Sequence, residues 1–208
     1  MKSLRIVSAA IAVVLCCGQA GARENGMNAL TALGSALRGA DAWRADYTQE
    51  YIAAGMGAGE VVAGVVTVGW PDRALFVTGD PVILTMGLEG RKVRLVDLEV
   101  PSCDEHVLGD DEWSRVPLAA VLDPAGAVEH FAVLDREPNG FTLVPREPGG
   151  VDRVEVTLDD NSLPLEVLIV DPQGATNRLQ FTQWTATDPP SEGRWLPSPP
   201  SGLECISD

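Results

Sequence analysis

The sequence predicts a mainly β fold with two helices, arranged as an antiparallel meander, a sandwich or a barrel. Three observations lead to this prediction. Around ten short segments are rich in β-branched residues or alternate apolar with polar side chains, at intervals of about 8–12 residues. Turn residues separate these segments. Helical spacing of apolar residues is confined to two places, and no linker or internal repeat divides the chain.

The first predicted element is a helix over residues 28–39. Leu30, Leu33 and Leu37 recur there at helical spacing, and Gly39 provides a stop. A group of strand patterns follows, of which the first alternates most clearly because aromatic and apolar side chains occupy every second position. The strands predicted in this group are residues 43–51, 61–70, 74–78, 82–86 and 91–98.

A second helix is predicted in the middle of the chain. Ser114 can cap it, Pro117 suits its first turn, and Asp123-Pro124 ends it. Its apolar stripe consists of Leu118, Val121 and Leu122. The chain then returns to strand patterns, and the strands predicted after this helix are residues 131–133, 141–145, 154–158, 163–169 and 179–181.

The N-terminal residues 1–22 have the pattern of an export signal. Two positive charges, Lys2 and Arg5, precede an apolar run over residues 6–15 and a stretch of small residues that ends at Ala22. The run is well short of the ~20 residues that a membrane span requires. We therefore expect cleavage after Ala22 and a periplasmic domain of residues 23–208.

A lipid-attachment signal is the competing interpretation of the same segment. Cys16 and Cys17 lie at the end of the apolar run, where a lipidated cysteine would stand. Lipid attachment requires a small residue immediately before the cysteine, and Leu15 and Cys16 occupy those positions. The sequence therefore favours soluble export over lipidation.

Composition excludes several classes of function. The 208 residues carry 15 basic and 30 acidic side chains, a formal net charge of −15. Nucleic acids and anionic membrane surfaces bind basic surfaces, so we expect neither as a partner. The sequence has no GxSxG motif and no phosphate-binding loop, and two histidines leave little room for a catalytic triad. We expect no enzyme, no cofactor and no metal.

Removal of the signal leaves two cysteines, Cys103 and Cys205. Thiols of exported proteins oxidise, so we expect these two to form a disulfide. It would close a loop of about a hundred residues and stabilise the fold by about 4 kcal/mol in the chain-entropy model. Two alternatives remain open: a pair of free thiols, and a metal site built on the run of possible ligands at residues 103–106.

Six short motifs follow one another along the chain, at residues 43–49, 64–71, 89–91, 117–122, 141–146 and 196–203. In order and spacing they resemble motifs of the LolA family, the periplasmic carriers of outer-membrane lipoproteins. The family counterparts are an aromatic-x-Ala-x-aromatic-x-Gln strand, a glycine ahead of a proline turn, an Asp-Gly-Lys turn, a Pro-x-x-x-Leu helix, a Phe-x-Leu-x-Pro-Lys strand and a closing Pro-Pro-x-Gly-Val. The resemblance covers the chain from about Asn25 onward.

This resemblance implies an incomplete, open antiparallel β-barrel of about ten or eleven strands, covered by a helical lid. It also implies a physical rather than a chemical function. Each CH₂ of an acyl chain gains about 0.8 kcal/mol on leaving water, so a lipidated cargo needs an escort across an aqueous compartment. Such an escort requires an apolar face that its own side chains leave unfilled, and a lid that competes with the cargo for that face.

One alternating face of the sheet is expected to line the cavity. The predicted lining residues are Tyr47, Val65, Leu75, Val77, Val93, Leu95, Val154, Val156, Leu165, Val167 and Phe181. The predicted lid residues are Leu30, Leu33, Leu37, Leu118, Val121 and Leu122. Each position on its own is equally consistent with an ordinary core residue.

The chain departs from the family pattern at the proline turn. Many family members place an arginine directly before the proline, where it binds helix carbonyls and holds the lid closed. Here Trp70 occupies that position, and Arg73 lies just beyond the proline. Either Arg73 makes the lid contact, or Trp70 holds the lid by packing.

The resemblance also implies partners. These are acylated lipoproteins or another lipid as cargo, an inner-membrane lipoprotein-releasing complex that supplies it, and an outer-membrane acceptor that receives it, with the chain itself a monomer. Three alternatives remain open. They are a paralogue that binds another lipid or a glycolipid, an acceptor or envelope-sensing module on the same fold, and an enzyme or structural sandwich with a filled interior.

Overall fold

The computed structural model describes residues 18–113, 124–191 and 193–207. Within these residues the chain forms three helices, which are α1 (Gly18–Leu37), α2 (Asp110–Trp113) and α3 (Pro124–His130). The same residues form twelve strands, which are β1 (Ala42–Ile52), β2 (Glu60–Gly69), β3 (Arg73–Thr78), β4 (Leu84–Glu89), β5 (Lys92–Asp97), β6 (Ser102–Val107), β7 (Phe131–Arg136), β8 (Gly140–Pro145), β9 (Arg153–Leu158), β10 (Pro164–Val170), β11 (Thr176–Thr187) and β12 (Ile206–Ser207).

All the described strands belong to one sheet that is not closed. Its order is β12-β6-β5-β4-β3-β2-β1-β11-β10-β9-β8-β7, so β12 and β7 are its two edges. Neighbouring strands are antiparallel except β12, which pairs in parallel with β6. The prediction of a mainly β fold with helices is confirmed. The sheet is mixed rather than purely antiparallel, because the chain returns to β6 through a two-residue strand whose sequence carries no strand signal.

Helix α1 begins at Gly18, well before the predicted start at residue 28. Its leucines Leu30, Leu33 and Leu37 are almost completely buried against β7, β8 and the neighbouring strands. The face of the sheet that packs against these leucines is called the inner face below, and the opposite one the outer face. Most of the second predicted helix, residues 114–123, lies outside the described residues. Helix α3 begins at Pro124, which the sequence predicts as a stop, because proline is also favoured in a first helical turn.

Strand register divides the side chains between the two faces. Across β1 and β11, Tyr47 lies opposite Phe181 on the inner face. From β2 to β4, the row that contains Val66, Phe76 and Met86 is also on the inner face, and their chain neighbours face outward. Because side chains alternate along each strand, this register fixes which residues can meet above the sheet.

The C-terminal segment, residues 195–205, crosses the outer face of β2 to β6. Trp195 is only 1% exposed, and its ring lies over Gly69, where an added Cβ would come within 2.8 Å of it. Gly87 clears space in the same way for the backbone of Trp195 and for Pro197. Arg94 donates a hydrogen bond to the carbonyl of Pro197 at 3.1 Å. The chain itself therefore covers the part of the outer face that includes Gly69, Gly87 and Arg94.

Candidate functional site

The inner face of the sheet holds an apolar cavity of about 290 Å³. It lies beside the region that the α1 leucines fill, and Leu37 at the end of α1 contributes to its wall. The strands supply the rest of the lining, which consists of Tyr47, Gln49, Val66, Val68, Phe76, Thr78, Leu84, Met86, Leu95, Pro164, Val167, Ile169, Asn177, Leu179, Phe181 and Trp184. Among these described lining residues, none carries a formal charge.

One wall of the cavity is held by a tyrosine. The ring of Tyr47 meets that of Phe76 edge to face, with their centroids 5.4 Å apart. Its hydroxyl shares a hydrogen bond with the Thr78 hydroxyl, at 2.5 Å between the oxygens. Burial raises the pKa of Tyr47, and the hydrogen bond with Thr78 opposes this only in part, so the phenol is neutral at physiological pH. The wall is thus uncharged and fixed in place.

A β-bulge brings a second aromatic pair to the cavity. The pairing of β1 with β11 shifts register between Arg44 and Asp46, and Gln183 at the bulge has a positive φ of 58°. The extra residue turns Trp184 to the same face as Phe181, with ring centroids 5.5 Å apart. The indole N–H of Trp184 donates to the carbonyl of Pro164 at 2.7 Å.

Two side-chain amides form the polar part of the lining. Gln49 on β1 donates from Nε2 to Oδ1 of Asn177 on β11 at 3.0 Å, and the pair is half-buried. Both residues lie beyond Tyr47, at the end of the strands that is remote from α1. This end leads to the exposed β1–β2 hairpin, where Tyr51 is 52% exposed. The amides therefore lie towards the open end of the cavity.

The predicted lining residues divide into three groups. Those that line the cavity are Tyr47, Leu95, Val167 and Phe181. Those that share the inner face but pack with the core are Val93, Val154 and Val156. Those that lie on the outer face are Val65, Leu75, Val77 and Leu165.

The residues on the outer face are explained by two features of the sheet. Strands β2 and β3 are apolar at successive positions, so alternation does not identify their inner face. Leu165 lies at a register shift between β9 and β10, where Pro164 occupies the inward position instead. Leu165 itself is 47% exposed.

Most of the lining was not predicted from the sequence. Its further members are Gln49, Val66, Val68, Phe76, Thr78, Leu84, Met86, Pro164, Ile169, Asn177, Leu179 and Trp184. Gln49 was detectable, because it alternates in phase with Tyr47 along β1. No local signal points to Trp184, since a bulge in β11 decides where it faces.

Of the predicted lid residues, the three on α1 lie within the described part of the chain, and the three on the second predicted helix do not. Leu30 and Leu33 pack in the core and Leu37 reaches the cavity. The predicted residues Leu118, Val121 and Leu122 lie outside the described residues.

Two tryptophans hold the end of α1. The indole N–H of Trp43 donates to the carbonyl of Leu37 at 3.2 Å. The guanidinium carbon of Arg38 lies 4.7 Å from the centre of the Trp70 ring, a cation–π contact. Arg73 instead forms an ion pair with Glu89 on β4, at 4.0 Å. Trp70, rather than Arg73, is the turn residue with a contact to the end of α1.

The predicted disulfide is confirmed. Cys103 on β6 is bonded to Cys205, at a sequence separation of 102 and with 4.4 Å between their Cα atoms. The sulfur of Cys103 is therefore not free to bind a metal, and the side chains of the described residues form no cluster suited to one. The bond fixes the end of the C-terminal segment beside the sheet edge.

Within the described part of the chain, no helix combines the length and the hydropathy that a transmembrane helix needs.

Comparisons with known proteins identify a family. The model of the family described as outer membrane lipoprotein carrier protein LolA matches residues 38–195. No curated protein matches the chain. Among solved structures, a DUF1329 family protein from Desulfovibrio piger is similar with a TM-score of 0.50 at 8% identity, over 84% of this chain and 97% of that one. This likeness concerns the fold alone.

Two further solved structures are similar at lower scores. A putative outer membrane lipoprotein-sorting protein domain from Vibrio parahaemolyticus has a TM-score of 0.47 at 11% identity, over 83% of this chain and 97% of that one. The complex of MucA and MucB from Pseudomonas aeruginosa has a TM-score of 0.46 at 16% identity, over 83% of this chain and 61% of that one.

Proposed function

The chain belongs to the LolA family, and we propose that it is a periplasmic carrier that binds the acyl chains of lipoproteins in the inner-face cavity and moves them from the inner to the outer membrane. Residues 1–22 serve as its export signal and residues 23–208 form the carrier domain. The function consists of reversible binding, and no catalytic step is part of it.

The observation that carries this proposal is the cavity itself. The cavity offers about 290 Å³ between mainly aliphatic and aromatic side chains, and an apolar cleft of this kind is the usual form of a ligand site. An apolar cavity of about 150 Å³ holds one benzene molecule, so this one corresponds to roughly a dozen carbon atoms of hydrocarbon. Each methylene placed there contributes about 0.8 kcal/mol. The cavity suits one segment of an acyl chain.

The loops at the open end support an exchange of cargo there. In an antiparallel meander the β1–β2, β3–β4 and β5–β6 loops lie at the same end of the sheet. Each presents an exposed apolar side chain, which are Met56, Val82 and Val100 in turn. The charged side chains within these three loops, residues 53–59, 79–83 and 98–101, are Asp80 and Glu99, and both are acidic. We propose that the protein partners, a releasing complex and an acceptor, present basic surfaces to this end.

Helix α1 acts as the lid in this proposal. Leu37 occupies part of the cavity wall, so movement of the end of α1 would enlarge the cavity. The contacts of Trp43 with Leu37 and of Trp70 with Arg38 favour the closed position. A cargo that displaces Leu37 competes with these contacts, which makes binding reversible.

The proposal is tested by native mass spectrometry and lipid extraction of the mature protein, together with binding of a fluorescent N-acyl amide probe. We expect acyl-bearing species after purification and saturable probe binding. A protein with a filled interior would show neither acyl-bearing species nor probe binding, and that result would contradict the proposal.

A cavity-filling variant identifies the site of binding. Leu179→Trp places a larger side chain in the cavity and is expected to lower probe affinity by at least tenfold. Val107→Trp is the matched control, because Val107 is 58% exposed on β6, outside the cavity. Equal loss of binding in both variants would place the probe elsewhere.

A further inference from the structure

The cavity has a polar feature that hydrocarbon binding does not use, the amide pair Gln49–Asn177. Their hydrogen bond engages one N–H of Gln49 and the side-chain oxygen of Asn177. A Gln and an Asn together offer four N–H donors and two oxygens, so three donors and the oxygen of Gln49 stay available. Among the described residues, no fully buried side-chain polar atom lacks a partner. The oxygen of Gln49 and the amide nitrogen of Asn177 have no such partner among the described residues, so these two atoms reach accessible space.

The absence of charged side chains from the lining decides which polar group of a ligand these N–H donors can bind. A carboxylate taken into an apolar site needs a cation or several hydrogen bonds, since burying an unpaired charge is strongly unfavourable. The described lining has no lysine, arginine or histidine. A neutral ester or amide carbonyl needs only one or two N–H donors, and side-chain amides supply these.

The position of the pair sets the direction of the ligand. Gln49 follows Tyr47 by one inward-facing step along β1, away from Leu37 at the other end of the cavity. A chain whose carbonyl lies at the amides therefore extends its methylenes past Tyr47 and Phe76 towards Leu37. About a dozen carbon atoms of hydrocarbon fit in that volume.

We propose that Gln49 and Asn177 are the specificity-determining residues of the cavity, which bind the neutral carbonyl of an acyl ester or amide and thereby exclude free fatty acids. This inference rests on the proposed carrier function. It identifies the ligand class as chains that are covalently esterified or amidated, with the carbonyl at the open end and the methyl end at Leu37.

The test compares three ligands of similar chain length by isothermal titration calorimetry at pH 8. N-methyldecanamide has a neutral carbonyl, decanoate carries a charge, and undecane has no polar group. On the mature protein we expect the amide to bind at least tenfold more tightly than decanoate. In the double variant Gln49→Leu/Asn177→Leu, affinity for the amide is expected to fall about five- to tenfold, while that for undecane is unchanged.

The control variant is Gln180→Leu, which removes a side-chain amide from the outer face of β11, the strand that carries Asn177. It is expected to leave all three affinities unchanged. A second variant, Asn177→Lys, introduces a cation where the carbonyl would lie, and decanoate affinity is expected to rise by at least tenfold. This gain does not depend on the double variant being well folded.

The outcomes separate the two proposals. Binding of all three ligands with no effect of the double variant would overturn the specificity role and leave the carrier function standing. The same holds if decanoate gains nothing in Asn177→Lys. Failure of every acyl ligand and of undecane to bind would overturn both.

Discussion

The two faces of strands β2 to β5 carry similar side chains but differ in packing: another segment of the chain packs against the outer face, and the inner face borders a cavity. On the outer face, Trp195 and its neighbours cover the sheet, and Gly69 and Gly87 clear space for them. On the inner face, the side chains of Val66 and Phe76 border a cavity of about 290 Å³. The difference shows that hydrophobicity of a strand does not decide whether its face is filled. What fills it is another segment of the chain.

The reason lies in how each face is closed. The outer face is covered by a segment that a disulfide and a hydrogen bond from Arg94 hold in place. The inner face is covered by α1, whose leucines pack over β7 and β8 and reach the cavity only through Leu37. The outer face of these strands therefore packs against another segment of the chain, whereas their inner face borders the cavity.

Loss of the largest outer-face side chain should have the greatest effect on stability. Trp195→Ala removes a completely buried indole, and we expect a loss of about 3–5 kcal/mol in the free energy of unfolding, measured by urea denaturation. The matched control is Trp184→Ala, whose side chain borders the cavity and is half-buried. It should cost less than half as much. Similar losses would mean that the two faces are equally well packed.

Removal of the disulfide tests how the outer cover is held. Replacing Cys103 and Cys205 together by serine is expected to lower the free energy of unfolding by about 2–4 kcal/mol. Fluorescent acyl-probe affinity should stay within twofold of the parent protein, because the bond lies on the outer face. A large change in probe affinity at unchanged fold would show that the two faces are coupled.

Adding one carbon atom to each face gives the most direct contrast. A Cβ at Gly87 would overlap the carbonyl oxygen of Trp195 and lie 2.5 Å from Cδ of Pro197. Gly87→Ala is therefore expected to cost about 1–3 kcal/mol. Val66→Ile adds one carbon atom beside the cavity and is expected to change stability by less than about 1 kcal/mol. Thermal unfolding would contradict this contrast if Val66→Ile lowered the midpoint temperature more than Gly87→Ala.

The smallest expected effect concerns pH. Arg94 donates to Glu105 at 2.9 Å and Lys92 lies 3.0 Å from it, and these contacts lower the pKa of Glu105 below its ordinary value of 4.5. Because the pKa is lower in the folded state, the stabilisation is fully present above about pH 4.5 and disappears as pH falls through the folded value.

Urea midpoints measured across that acidic range test this contribution. The parent protein should lose stability more steeply than Glu105→Gln, which has no carboxyl to protonate. Asp160→Asn provides a control at an exposed carboxyl remote from Arg94. Parallel pH profiles of the parent and Glu105→Gln would show that the ion pair contributes nothing to the outer cover.

Local patterns were sufficient for much of the fold and for a part of the site. Alternation along β1 identifies Tyr47 as inward-facing because its polar neighbours face water on the other side. Helical spacing identifies Leu30 and Leu33, and the pairing of two cysteines is confirmed. The polar strand β6 and the two-residue β12 have no such signal. Strand β6 pairs along its length with β5, and β12 pairs with β6 close to the disulfide.

The remaining part of the site depends on contacts between distant segments. In β2, valine occupies inward and outward positions alike, so only the pairing of β2 with β1 and β3 distinguishes Val65 from Val66. The bulges at Gln183 and Leu165 reverse the direction of the residues beside them, and they arise from pairing with strands far along the chain.

Sequence pattern thus established a mainly β chain with an apolar helix, because alternation and helical spacing are properties of neighbouring residues. Tertiary structure alone established which face is filled, which residues border the cavity and where the amide pair lies. The physical reason is that a cavity is the space that packed segments leave between them, and its shape is set by all of those segments together.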